Sequence, residues 1–521
     1  MLPDLSPAVV DALRSAFTAA GYTTGGVRAL LGDSAHAALG RGELEPAYRV
    51  ARDADELGVL VRLLLLGSVE PDRAVRAALG GLDPADAAAA GLLEHAGEGW
   101  SAALDLRPYG DDDSDWWVLS DLDRRRQERD HVTGVGAASL TLAAATARRT
   151  VGTLLDLGTG CGVQALHATG HAGAVTATDL APRALAMARA TFALNGLDVE
   201  LLAGPWLEPV AGRRFDMIVS NPPFVPGPPR VEFVYRDSGQ GGDDALAVLV
   251  RTLPGHLEPG GVAQLLGSWL HVRDEDWPDR LRSWLPAGVD AWVVQREVAD
   301  PALHVGTWQR DAGVDPASPA GRAQAADWLD WLERERVEAI GFGFLALRRT
   351  DGPPTVVFED LTGDLADPLG PEVSGWLDRV DWLRAHASDD DLLKARLAVA
   401  PTVVLERWSE PGPDGWTEVG ASVARLDGPR WRHEVDAPAA ALLAGCQGAL
   451  PLGDLVELLS VAHDRPTDAL VAATLPAVRE LVRHGLLVPA QEFLRGSGRV
   501  GSAGAAWQVE PDGRRGPARG R

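Results

Sequence analysis

The heptapeptide Asp156-Leu157-Gly158-Thr159-Gly160-Cys161-Gly162 closes one apolar run and opens a helix-forming one. Three glycines at alternate positions between a strand and a helix let the backbone pass close to a ligand. A side chain there would block the approach, and the following helix presents unpaired amide hydrogens at its N-terminus. Such a turn belongs in a sheet of parallel strands joined by helices, and the surrounding sequence supplies one. Residues 126–350 alternate strand-like and helix-like runs, which predicts an α/β fold with helices on both faces of the sheet. The candidate strands are Thr153–Leu157, Ala174–Thr178, Val199–Leu202, Phe215–Ser220, Val262–Leu266, Ala291–Gln295 and Gly341–Arg348. Pro259-Gly260-Gly261 makes a tight turn into the fifth of them.

A glycine-rich strand-to-helix turn also suits nicotinamide and flavin nucleotides. Two features favour a different nucleoside. The spacing is Gly-x-Gly-x-Gly with an acid two residues ahead, not the longer dinucleotide fingerprint. A carboxylate at Asp156 would repel a pyrophosphate, whereas S-adenosylmethionine has none and carries a cationic methionine part. The second strand ends in Asp179, a position from which a carboxylate reaches a ribose diol. The competing reading is an N-cap for the helix beginning near Pro182, and the glycine turn upstream favours the ribose. The expected cofactor contacts are Asp156, Gly158, Thr159, Gly160, Gly162, Asp179 and Leu180, with Asn221 at the edge. Asp198 or Gly204-Pro205-Trp206 would border the adenine.

Asn221-Pro222-Pro223-Phe224 lies 59 residues beyond Gly162, at the end of the fourth candidate strand. In an open α/β sheet, ligands collect outside the carboxyl ends of the strands, so this turn and the glycine turn should face one cleft. The prolines stiffen the turn and hold backbone carbonyls without using amide donors. An amide, or the exocyclic amine of a base, has its nitrogen lone pair drawn into a π system and is a poor nucleophile. If the Asn221 side-chain carbonyl and the Pro222 backbone carbonyl each accept one N–H, the nitrogen is aimed and its developing charge is stabilised. No strong base is needed, because the proton can leave after transfer. Phe224 can stack on a flat substrate. The bland alternative is an ordinary proline-rich turn after a strand.

These motifs resemble class I S-adenosylmethionine-dependent methyltransferases of the amino-group type. Nearest in look are the release-factor glutamine and ribosomal-RNA guanine-N2 methyltransferases, and adenine-N6 enzymes share the Asn-Pro-Pro-Phe element. The resemblance covers roughly residues 130–350. It implies a Rossmann-like sheet of seven strands whose last strand, here Gly341–Arg348, is antiparallel. It also implies S-adenosylmethionine as cofactor and Asn221, Pro222, Pro223 and Phe224 as the catalytic element. His131, within His131–Gly136, falls where such enzymes place a lid, although a packing or helix-start histidine reads as well. Tyr235 and Arg236, with the glycines that follow, are candidates for a substrate loop. Asp243 or Asp244 reads as the cap of the next helix, and His304 and Trp308 are further candidates for the site.

The chain of 521 residues is too long for one core. Residues 1–125 read as mostly helical, with a buried helix over Asp53–Leu66 and a pair of strands, Trp100–Leu106 and Asp115–Leu119, around the turn Asp111–Asp113. That suggests a winged-helix-like domain or a small α+β packing domain. Residues 351–495 read as a C-terminal α+β domain, again winged-helix-like. It has a strand at Val403–Trp408, helices at Ala437–Ala444, Leu452–Leu459 and Asp468–His484, and Leu486–Val488 after them. Residues 496–521 read as a disordered tail rich in Gly and Arg.

Formal net charge is −25, which weighs against broad nucleic-acid binding without excluding a local basic groove. Winged-helix-like flanks pull the other way, so the expected partner is either RNA or a translation-related protein. Cys161 and Cys446 make neither a disulfide framework nor a zinc pattern. No metal is expected, and a reducing cytosol fits. No apolar stretch is long enough to span a bilayer, so a cytoplasmic protein without membrane contact is expected. Two other classes remain: a non-catalytic binding or regulatory protein that keeps the cofactor fold, and a NAD-dependent oxidoreductase. The latter would need the longer fingerprint and gives Asn221–Phe224 no role. Oligomeric state is not encoded in any of these features.

Overall fold

The computed structural model describes residues 2–110, 114–122, 129–223, 225–230, 239–366, 368–413 and 415–490. It forms two compact units, Met1–Ser374 and Gly375–Arg521.

The first unit is built on one sheet. Its strands are β1 (Val151–Leu157), β2 (Ala172–Asp179), β3 (Glu200–Ala203), β4 (Phe215–Ser220), β5 (Leu257–Val272), β6 (Val289–Ala299), β7 (Val337–Arg349) and β8 (Val356–Asp360). They lie in the order β3-β2-β1-β4-β5-β7-β6-β8. The pairs β1–β2, β2–β3, β1–β4, β4–β5 and β6–β8 are parallel, while β7 runs antiparallel to both β5 and β6. Near-continuous apolar runs such as Leu154-Leu155 and Met217-Ile218-Val219 are what a sheet covered on both faces requires, and these side chains are buried. The core under the sheet joins Leu155, Ile218, Leu265, Val293 and Leu345 to Leu246, Leu249 and Val250 of the helix Asp244–Thr252.

Two expectations need correction. The sheet has eight strands, not seven. The expected antiparallel strand is present as β7, and β8 comes from the stretch beginning at Asp351 that was expected to leave the domain. Buried polar groups hold this edge together. Asp290 pairs with Arg348, with side-chain exposures of 0% and 9%, and also accepts the Thr355 amide at 2.8 Å. Trp292 Nε1 donates to Glu359 at 2.7 Å.

The N-terminal residues share the first unit with the sheet. Helices Pro7–Ala20 and Thr24–Gly40 begin at side-chain caps on Ser6 and Thr23. The expected long helix at Asp53–Leu66 is shorter, beginning at Glu56 and widening to a Leu66 N–H bond on Val61 O. Arg62, which interrupts that apolar run, is partly buried and pairs with Glu70 at 2.8 Å. The span Trp100–Leu106 divides between two strands. Gly99–Ala102 turns back on Leu93–Ala96, and Asp105–Gly110 pairs with Asp115–Ser120. The latter ribbon docks on the helix Pro182–Asn195. Asn195 accepts the Trp117 amide at 3.0 Å and donates to its carbonyl at 2.8 Å, and Thr191 Oγ1 accepts the Leu119 amide. The turn Asp111–Asp113 lies outside the described residues.

In the second unit, helices Ala437–Gly445, Leu452–His463 and Thr467–Arg483 occupy the expected places. Leu487–Pro489 pairs with Leu397–Val399, and Val403–Gly412 belongs to a three-stranded sheet with Gly415–Arg425 and Arg432–Val435. The tail 496–521 lies outside the described residues. Among the described residues, no helix is long and apolar enough to cross a membrane.

Candidate active site

Leu157 and Ser220, the last residues of β1 and β4, and Thr178, the last but one of β2, lie in one register on neighbouring parallel strands, Leu157 opposite both of the others. Ser220 Oγ donates to the Leu157 carbonyl at 2.8 Å, tying the ends of β1 and β4 together. Thr178 O accepts two amides from the departing turn, Gly158 N and Thr159 N, each at 2.9 Å. The glycine turn and the Asn221 turn therefore leave adjacent strands at the same rim of the sheet.

The glycines of the turn are required by geometry. Gly158, Gly160 and Gly162 have φ of 75°, 58° and 96°, the left-handed region that a Cβ disfavours. At Gly162 an added Cβ would also lie 2.7 Å from the Phe192 ring. At Gly158 and Gly160 it would meet nothing within 4 Å, so the backbone there borders open space.

Two carboxylates shape this turn. Asp156 is buried; its Oδ2 accepts from Thr159 Oγ1 at 2.7 Å and from the Ala165 amide at 3.0 Å. Burial pushes its pKa up to about 7, against the pull of those two donors. Thr159 is thus a strut of the cradle through its hydroxyl. Asp179 Oδ2 accepts the Gly160 amide at 3.0 Å and Oδ1 accepts the Ala181 amide at 2.8 Å. Burial raises its pKa as well. Asp179 does not cap the helix Pro182–Asn195, whose N-cap is Ala181; its carboxylate instead ties the glycine turn to the chain entering that helix. Leu180, next to it, holds an apolar side chain 59% exposed at the rim. Cys161 is buried and its thiol is pushed up to about 12 by desolvation, so it offers no thiolate.

Three buried side-chain atoms at this rim find no hydrogen-bond partner among the described residues: Asp156 Oδ1, Thr178 Oγ1 and Asn221 Oδ1. Unpaired buried polar atoms are costly and rare, and three on adjacent strand ends indicate a missing polar partner. A sulfonium nucleoside with hydroxyls and an ammonium group suits that donor and acceptor set, and so does a substrate N–H. Pro222 is buried behind Asn221. Phe224, Tyr235 and Arg236 lie outside the described residues.

His131 is buried at 4% exposure. The segment around it is pinned: Asp121 N donates to Val132 O and Asp121 Oδ2 accepts the Val132 amide at 2.9 Å. Asp121 is ion-paired with buried Arg183. Farther on, Gln164 Nε2 donates to Ser139 O at 2.9 Å, holding the helix Ala137–Ala145 to the one after the cradle. Asp243 is the N-cap residue of its helix, but its side chain makes no capping bond. Its carboxylate accepts the Leu270 amide at 2.9 Å and pairs with Arg280.

Beyond the Asn221 turn, His304 Nε2 donates to Pro226 O at 2.9 Å. Gly227 lies against the Trp328 ring, so close that a Cβ would be 2.3 Å from it. Ser220, Thr178 and Trp328 were not singled out from the sequence. Ser220 carried a signal, a hydroxyl residue immediately before Asn221 at a strand end. Trp328 carried none that is local.

Family comparison places the cradle and the Asn221 turn in one domain. Residues 132–260 match the family model described as "Methyltransferase small domain", while 19–103 and 374–489 match two families described only as domains of unknown function. A release factor glutamine methyltransferase of Deinococcus radiodurans is 41% identical over 123 residues, 22% of this chain and 44% of that protein. A ribosomal RNA small subunit methyltransferase C of Salmonella arizonae is 34% identical over 137 residues, 26% of this chain and 36% of that protein. The chain thus spans less than half the length of either relative. Among solved structures, the T. thermophilus 16S rRNA N2 G1207 methyltransferase, in complex with AdoMet and guanosine, is 18% identical. That match covers 42% of this chain and 57% of its own, with a TM-score of 0.27. A SAM-dependent methyltransferase from Thiobacillus denitrificans, in complex with S-adenosyl-L-homocysteine, is 21% identical over 43% of this chain and 97% of its own, with a TM-score of 0.26. Over residues 132–260, then, the chain is similar to the methyltransferase small domain.

Proposed function

We propose that this chain is an S-adenosylmethionine-dependent N-methyltransferase whose acceptor is a planar amino or amide nitrogen of RNA or of a translation-related protein. One observation carries the reading: Asn221 Oδ1 is buried and, among the described residues, unpartnered at the rim it shares with the glycine turn. A carbonyl oxygen held there without a donor is suited to receive an N–H from the acceptor. The names of the relatives support both acceptor classes, a glutamine of a release factor and a base of ribosomal RNA.

The bound cofactor would supply an electrophilic methyl group on sulfur. The protein's part is to hold and orient. Gly158 and Gly160 leave room for the nucleoside, and Asp179, Leu180, Asp156 and Thr178 line its place. Asn221 and the Pro222 carbonyl would each accept one N–H of the acceptor, aligning the nitrogen and stabilising positive charge as it forms. Phe224 would face the plane of the acceptor, and His131, Tyr235 and Arg236 would contact its surroundings. The segments 1–125 and 361–495 are proposed as separate domains on either side, in sequence, of the catalytic part, which runs on through β8 to Asp360, in a cytoplasmic protein.

The test is incubation with tritium-labelled cofactor and separated cell fractions. Base-stable label on a nitrogen of RNA or protein supports the reading. Label only in small molecules or at oxygen or carbon refutes it.

A further inference from the structure

Between β6 and β7 the chain makes two helices, Pro301–Asp311 and Pro319–Arg334. Val305, Trp308, Trp328 and Leu332 from these helices bury themselves with Leu270 of β5 and with Val337 and Ile340 of β7. Val225, four residues past Asn221, packs on that cluster, as does Trp331. Trp308 and Trp328 have ring centroids 4.3 Å apart, so the pair presents a rigid aromatic wall. The chain leaving the Asn221 turn is fastened to this wall at successive points. Pro226 O receives the His304 Nε2–H, Gly227 lies flat on the Trp328 indole, and Arg230 pairs with Asp327 at 3.2 Å. The returning chain is fastened as well: Gly242 N donates to Gly227 O at 2.9 Å, and Gly242 also borders Trp331.

The sheet fixes only the near end of the Asn221 turn, through Ser220. A side-chain acceptor on a turn is aimed only if both ends are fixed. We propose that His304 is a positioning residue for methyl transfer, which through the Pro226 carbonyl and the Trp328 wall fixes the far end of the turn carrying Asn221 and Pro222. This inference rests on the reading of Asn221 as the acceptor-nitrogen ligand. His304 touches neither cofactor nor acceptor in it. A neutral ring donating through Nε2 must carry its proton there, and burial lowers its pKa and favours that neutral form.

The test compares His304→Phe, which keeps a ring and loses the donor, with His304→Gln, whose amide can donate at similar reach. Two readouts are taken on the full chain: methyl transfer to the labelled fraction, and hydrogen–deuterium exchange by segment. For His304→Phe we expect kcat to fall about tenfold to a hundredfold, the scale of a small misplacement of reacting groups. KM for the cofactor should hold within about twofold. Exchange should quicken across residues 221–230 and stay unchanged across 151–162. His304→Gln should recover most of the rate. Wild-type kcat in His304→Phe, or equal losses in both variants with quicker exchange across 151–162, overturns the proposal. Absence of methyl transfer by the wild-type chain would instead sink the reading of Asn221. Exchange across 221–230 would then still decide whether His304 fixes the turn, with no change in His304→Phe overturning it.

Discussion

Ser220 Oγ and the Leu157 carbonyl are 2.8 Å apart, and that bond joins the last residue of the strand before the Asn221 turn to the last residue of the strand before the glycine turn. Both groups are buried. A cofactor held by one turn and an acceptor held by the other would react only if the two turns keep a fixed separation, and this bond sets it. Ser220→Ala should leave the Leu157 carbonyl short of a partner and cost about 1–3 kcal/mol of stability by chemical denaturation. Turnover should fall further than cofactor affinity does. Equal falls in both would mean that Ser220 supports only the cradle.

Gly160 and Gly162 separate binding from folding. Both sit at positive φ, so alanine at either costs on the order of 1–2 kcal/mol in backbone strain. Gly162→Ala also collides with Phe192, adding an overpacking cost of about 1–3 kcal/mol. Gly160→Ala meets open space in the free protein, and its methyl group would occupy the room a nucleoside needs. Thermal denaturation with and without S-adenosylhomocysteine should show Gly162→Ala with the lower melting temperature. Gly160→Ala should be the variant that keeps most of its melting temperature yet loses the shift on ligand addition. A normal ligand shift in Gly160→Ala would remove the cradle from the binding site.

The pH dependence of the free protein should carry the mark of Asp156. Its ordinary pKa is near 3.8, and burial raises it to about 7 in the folded state. The folded protein therefore holds a proton that the unfolded chain releases. That contribution to stability is full below about pH 3.8 and is lost as pH rises toward and through 7. Asp156→Asn keeps an oxygen for Thr159 and Ala165 and cannot ionise. Its stability relative to wild type should rise as pH goes from 5 to 8, measured without cofactor by denaturant titration. Binding of a cationic cofactor beside Asp156 should draw the proton off, so affinity should climb through neutral pH. A stability difference that is flat with pH would place the titration elsewhere.

The parts of this site that a sequence reveals are those set by neighbours along the chain. Phe215–Ser220 reads as a strand because an apolar run ends abruptly in Ser220-Asn221-Pro222, and its bounds in the fold are the same. The glycine turn reads because positive φ leaves few residue choices. Val356–Asp360 was hidden because Pro353, Pro354 and Gly352 mark a loop, while the strand owes its place to partners such as Trp292, far away in sequence. The Pro226–His304 bond spans 78 residues, and no periodicity near either residue announces it. Asp179 shows a third case: its carboxylate accepts the Gly160 and Ala181 amides and braces the glycine turn rather than capping the helix, whose N-cap is Ala181, and the Gly160 partner lies 19 residues back in the chain.

Asn221 offers the sharpest separation of a chemical role from a structural one. A buried side chain that supports the fold is missed when removed, because its partners are left unpaired. Asn221 Oδ1 has no partner among the described residues, so Asn221→Ala removes an acceptor already without a donor. Its melting temperature should match or exceed that of wild type, and S-adenosylhomocysteine should shift it normally. Methyl transfer should fall by at least about a hundredfold, the usual scale for losing a preorganised group that stabilises developing charge. A lowered melting temperature with transfer merely reduced in proportion would make Asn221 a packing residue. Normal transfer would show that the acceptor nitrogen is held by other groups at the rim.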